Sequence, residues 1–125
     1  MTAVWQQSAR SLARAVQSGE RLATDIATAF LTRIHELDGP LHAFLGVCAD
    51  RALADAAAVD LRAGQPGQGP LAGVPIAWKD NLVRSGELAT AGSRMLEHFV
   101  SPYTATTLSR LEAAGATLLG RTNLD

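Results

Sequence analysis

Gly69-Pro70-Leu71-Ala72-Gly73-Val74-Pro75-Ile76-Ala77-Trp78-Lys79-Asp80-Asn81 is the stretch on which the reading of this 125-residue chain turns. It holds the only lysine; the other ten basic residues are all arginine. Lys79 follows an apolar run, Val74–Trp78, that reads as a buried strand. A lone ammonium in such a place must be paired or give up its proton. Two readings stand side by side. One is a structural lysine at a strand end, paired with a carboxylate. The other is a lysine held as a general base or as the organiser of a polar network.

Working outward, the strand is preceded by Gly64-Gln65-Pro66-Gly67-Gln68-Gly69-Pro70, a loop by composition. Before the loop the pattern is helical. Residues 3–18 carry Val4, Leu12, Ala13 and Val16 and stop at Gly19. Ile26, Phe30, Leu31, Ile34 and Leu37 fall at helical spacing, with Thr24 or Asp25 as cap and Asp38-Gly39-Pro40 as terminator. Ala43–Cys48 reads as a short strand, and the alanine-rich residues 50–63 as a third helix. After Asn81, residues 84–102 read as an irregular excursion. A helix capped by Thr104 follows, with Leu108, Leu111 and Ala114 near one face and Gly115 as its left-handed stop. Ala116–Gly120 closes as a strand. Strand, helical connection, strand implies a parallel pair with a right-handed crossover. The class is α/β, helices packed on a sheet.

Composition narrows the function. Hydrophobic residues make up 47% and charged residues 18%, which places the chain among globular proteins. A net charge of −1 with no run of basic residues argues against a dedicated nucleic-acid binder. No apolar run approaches the roughly 18 residues that span a bilayer, and no signal peptide is visible. One cysteine, Cys48, excludes an internal disulfide framework and reads as a small hydrophobe. A cytoplasmic location is the expectation. No metal site is expected, because His35, His42 and His98 are scattered. Ser85 and Ser93 sit beside glycines without a strand leading into a sharp turn, so they read as loop hydrogen-bonders and not as nucleophiles. The chain stops after Arg121-Thr122-Asn123-Leu124-Asp125, directly behind an apolar run, which reads as a cut.

The motif around Lys79 has company. Residues 69–81, Ala-Gly-Ser-Arg-Met-Leu-Glu (91–97), Ser-Pro-Tyr-Thr-Ala-Thr (101–106) and Ala-Gly-Ala-Thr-Leu-Leu-Gly-Arg-Thr-Asn-Leu-Asp (114–125) stand in one order and spacing. Together they resemble the amidase signature family, over nearly the whole chain. Three positions depart from the family pattern: Trp78 before the lysine, Arg121 for a common lysine, and Thr104 for a common aspartate cap. The resemblance implies that residues 1–125 are the N-terminal portion of a single α/β/α amidase domain with a mixed sheet. It also implies amide hydrolysis by a Ser–cis-Ser–Lys triad. Lys79 matches its lysine and is the only catalytic residue that carries over, the serines lying beyond Asp125. On that expectation this chain alone is inactive.

Within the family, Ser93–Phe99 leading into Pro102-Tyr103, and the closing Thr122–Asp125, are similar to the A-subunit branch of the glutamyl-tRNA(Gln)/aspartyl-tRNA(Asn) amidotransferases. That branch implies B and C partner subunits, glutamine as ammonia donor, and a misacylated tRNA engaged through a partner. It implies ATP and Mg for the complete complex and no cofactor in this chain. Two alternatives remain: a piece of a stand-alone amidase acting on small amides, and a non-catalytic interaction module. The module would unfold cooperatively on its own, whereas a fragment with open sheet edges would be molten or aggregate.

Overall fold

The computed structural model describes residues 2–124. A 3₁₀ turn, Val4–Gln6, leads to helix α1 (Ala9–Gln17), helix α2 (Ala23–Leu41), strand β1 (Phe44–Val47) and helix α3 (Ala49–Asp60). Strand β2 (Pro75–Lys79), a second 3₁₀ turn (Arg94–Leu96), helix α4 (Thr106–Ala113) and strand β3 (Thr117–Thr122) complete the order. Among the described residues no helix is long and apolar enough to cross a membrane.

The three strands lie in the order β1-β3-β2. β2 and β3 run parallel, with Lys79 opposite Thr122. β1 pairs antiparallel to β3, Phe44 opposite Thr122 and Val47 opposite Gly120. The sheet is therefore mixed, and β3 is its central strand. Successive side chains of β3 point to opposite faces, and each face carries its own core. Leu119 packs with Leu12, Val16, Ile26, Ala27, Ala52 and Val59 of α1, α2 and α3. Leu118 packs with Trp78 and with Leu108 of α4. Helices thus cover both faces of β3 in an α/β/α arrangement.

Helix caps explain several boundaries, and some differ from the sequence expectation. Ser8 caps α1, its Oγ accepting from Ser11 N at 3.1 Å. Neither Thr24 nor Asp25 caps α2. Its N-cap is Leu22, which has no polar side chain, and the carboxylate of Asp60 at the end of α3 takes over that role. Asp60 accepts from Ala23 N at 2.6 Å, Thr24 N at 3.1 Å and Thr24 Oγ1 at 2.8 Å. Asp38-Gly39-Pro40 does not terminate α2, which runs on to Leu41. Only one hydrogen bond is lost to Pro40, and the helix ends a residue later at left-handed His42 (φ 52°). Thr104 does not cap α4 either. Its Oγ1 accepts from Ser85 N at 3.0 Å, and the N-cap is Ala105.

Gly115 does stop α4 in the left-handed region, at φ +92°. A Cβ there would stand 2.7 Å from the Gln68 carbonyl oxygen and 2.9 Å from Ala72 Cα. The loop before β2 therefore lies directly on the end of α4, joined by Leu71 N to Ala114 O and Gly73 N to Gly115 O, both 2.9 Å. These contacts set the approach angle of the strand that carries Lys79.

Candidate functional site around Lys79

β2 and the residue that follows it deliver three consecutive side chains to different surroundings. Trp78 is buried in the core beside α4, Lys79 is exposed, and Asp80 is 1% exposed. The expected burial of Lys79 is not found. β2 is an edge strand in the described residues, and Ala77, on the same side as Lys79, is exposed too. The buried charge at this strand end is its neighbour.

Asp80 is the fixed point of the region. One carboxylate oxygen accepts from Arg121 Nη1 at 2.8 Å. The other accepts from Thr90 N at 3.1 Å and from the Thr90 hydroxyl. Its own N–H donates to Thr122 O (3.1 Å), and its carbonyl accepts from Ala91 N (3.2 Å). A buried carboxylate is tolerated when its oxygens are occupied and its charge is matched. Here β3 supplies the cation and the following loop supplies the other donors. Arg121 is buried as well, and a Cβ on Gly46 would stand 2.5 Å from its Nη2. A side chain at this position of β1 would therefore press on the guanidinium, and the register also shifts here, between Phe44 and Gly46.

Residues 82–105 are more ordered than an irregular excursion. Leu88 and Val100 form an antiparallel bridge. Around it, Gly86 N donates to Ser101 O (2.9 Å), Ser101 N to Glu87 O (3.0 Å) and Ala89 N to Phe99 O (3.0 Å). Ala105 N returns to Val83 O at 2.8 Å. Arg84, which the sequence pattern did not single out, anchors this segment. Only 1% of it is exposed; Nη2 reaches Asp55 of α3 and Nε reaches Glu112 of α4, each at 2.7 Å. Its guanidinium carbon lies 5.8 Å from the centre of the Trp78 ring. Nothing around Arg84 in the chain announces this, because both acidic partners lie about 28 residues away in sequence.

Ser93 accepts from Met95 N at 3.2 Å, and Ser85 gives its backbone groups to Thr104 and Arg51. Both act as loop hydrogen-bonders. Cys48 is half-buried, with its thiol 3.2 Å from Glu87 Oε2. Burial, then the Glu87 hydrogen bond and charge, push that thiol up to about 11. Among the described residues no group of three or more His, Cys, Asp or Glu is arranged to hold a metal. An open apolar groove of about 510 Å³ lies between α2 and the sheet, lined by Trp5, Phe30, Leu37, Phe44, Ala77 and Leu119; Lys79 does not line it.

These features define an α/β/α protein that presents a lysine at the end of a parallel strand, above a buried Asp–Arg–Thr lock. The chain belongs to the amidase family: the family described as Amidase matches residues 25–125. The A subunit of the glutamyl-tRNA(Gln) amidotransferase of Thermobifida fusca is 50% identical across the whole chain, which corresponds to 25% of that relative. Two solved structures superpose closely. A protein described with a vestigial complex and the origins of an s-triazine catabolic enzyme gives a TM-score of 0.90 at 34% identity, over 95% of this chain and 26% of that one. The native peptide amidase of Stenotrophomonas maltophilia gives 0.86 at 37% identity, over 95% and 25%. The chain spans about a quarter of the length of the relatives it matches.

Proposed function

We infer that this chain is the N-terminal portion of an amidase domain, from the glutaminase component of a tRNA-dependent amidotransferase, with Lys79 as its catalytic base. The observation that carries it is the 50% identity to an A-subunit relative across all of the chain, including the strand that ends in Lys79. In this reading the nucleophilic serine lies beyond residue 125. Its Oγ attacks the glutamine side-chain amide carbon and passes its proton to the bridging serine, whose own proton moves to the Lys79 amine. Collapse of the tetrahedral adduct breaks the C–N bond, and ammonia leaves with a proton returned along the same relay. Water then hydrolyses the acyl ester. A lysine accepts a proton near neutrality when it is desolvated. Lys79 is exposed here, so that covering comes, on this reading, from later parts of the domain.

Ammonia passes to an ATP-activated glutamyl- or aspartyl-tRNA held by partner B and C subunits. ATP and magnesium belong to the complete complex, and no described residue of this chain is assigned to them. The 125-residue chain alone is inactive. A second reading, a stand-alone amidase for small amides, draws on the peptide amidase superposition. Co-expression with the B and C subunits of Thermobifida fusca separates the two. Retention of the chain on a tagged B subunit supports the amidotransferase, and its absence favours the stand-alone enzyme. Lys79-dependent ammonia release from glutamine by the 125-residue chain itself would overturn the placement of the serines.

A further inference from the structure

The net charge of −1 conceals a division along the chain. Residues 1–24 hold three arginines and one glutamate, while the rest holds eight basic against eleven acidic groups. The fold turns that local excess into a surface. Arg10 and Arg14 stand four residues apart on α1, neighbours on one helix face. With Arg21 they line an open groove of about 450 Å³, in company with Ser8, Ser11 and Ser18. Glu20 is the only acidic residue of its lining. Arg10 and Arg14 also border a second groove of about 360 Å³ against Pro70 and Leu71, so they form a ridge between two channels.

Of the other arginines, Arg84 and Arg121 are in buried pairs, Arg51 lies on Glu87 and Arg33 over the Trp5 ring. Arg10, Arg14 and Arg21 have no ion pair among the described residues. A small anion is held by donors converging on one enclosed point. Arg10 and Arg14, whose Cβ atoms stand about 5–6 Å apart as helix neighbours, and Arg21 in the segment after α1 suit an extended polyanion, met as successive phosphates. We propose that the α1 arginine ridge is a sequence-independent contact for an RNA phosphate backbone, fixing a tRNA's position without reading its bases. The proposal rests on the amidotransferase reading for the choice of RNA, and it gives this chain a direct tRNA contact in addition to any made by partners.

The test uses the longer polypeptide that carries residues 1–125 within a whole amidase domain, purified without partner subunits, and a fluorescently labelled, uncharged tRNA, with binding followed by anisotropy at about 50 and 200 mM salt. R10E/R14E/R21E is compared with the parent, and circular dichroism melts of both check folding. Binding by the parent is expected to fall with a log–log salt slope of roughly 2–3, from three phosphate contacts. The triple variant is expected to bind at least about tenfold more weakly at the lower salt, with an unchanged melt. No binding by the parent, equal binding by the variant, or binding to phosphatidylserine vesicles in place of tRNA overturns the proposal. Retention by the B and C subunits is scored separately. A retained chain that ignores tRNA removes the ridge and leaves the amidotransferase reading standing. Charge-sensitive tRNA binding by a chain that is not retained supports the ridge and removes that reading.

Discussion

Arg121 of β3 reaches under the end of β2 to place Nη1 2.8 Å from the carboxylate of Asp80, with both side chains almost wholly buried. The residue next to Lys79 in sequence is thus fixed to the central strand, and through Thr90 to the loop that follows. Removing one partner strands the other charge in the interior, which costs about 3–5 kcal/mol. Asp80→Asn and Arg121→Met are each expected to lower unfolding stability by that order in urea titrations. The double variant is expected to lose much less than the two single losses added together.

Asp60 offers a test of capping by a distant residue. Asp60→Ala removes three hydrogen bonds from the start of α2 and is expected to cost about 1–2 kcal/mol. Amide hydrogen exchange identifies the mechanism, because protection should fall first at Ala23 and Thr24.

Gly19 and Gly115 both have positive φ, +76° and +92°, but only Gly115 is crowded. Gly19→Ala meets nothing within 4 Å and is expected to cost about 1 kcal/mol from backbone strain alone. Gly115→Ala drives a methyl into Gln68 and Ala72 and should cost clearly more, read from the same denaturation curves.

The Cys48 thiol is raised from 9.0 to about 11 by burial and then by Glu87. The folded state thus favours the neutral thiol, and the unfolded chain ionises first. The stability this contributes is present below pH 9.0 and is lost as pH rises toward 11. At pH 8 the folded thiol should carry about a hundredfold less thiolate than an unfolded control, so iodoacetamide labelling should slow accordingly. Glu87→Gln should recover part of that rate.

In the longer polypeptide that the proposed function requires, Lys79→Met removes the base. Its ammonia release from glutamine is expected to fall about 10²–10⁴-fold, mainly in kcat. An unchanged kcat would remove Lys79 from the mechanism.

Much of this fold is legible in local pattern. Short apolar runs and helical spacing announce β1, β2, β3 and the four helices, and Gly115 marks its stop by chemistry that acts within one turn. Arg84, by contrast, looks like an ordinary loop arginine until α3 and α4 bring Asp55 and Glu112 to it. The cap of α2 hides for the same reason, since Asp60 lies 37 residues from the amide it serves. At Lys79 the apolar run before it suggested burial, but whether a strand end is covered depends on which edge of the sheet it occupies. That is decided by strand order, which one strand's sequence does not contain.

Strand order also sets a schedule for synthesis. Among the described residues β1 and β2 do not pair with each other, and each takes its strand hydrogen bonds from β3. As the chain leaves the ribosome, the backbone groups of residues 44–47 and 75–79 therefore wait for residues 117–122. Translation at about 5–20 residues per second makes that wait, from Lys79 to Thr117, roughly 2–8 s. Through those seconds the strand bearing Lys79 is a naked ribbon, and holding it apart from other chains falls to whatever binds nascent polypeptides.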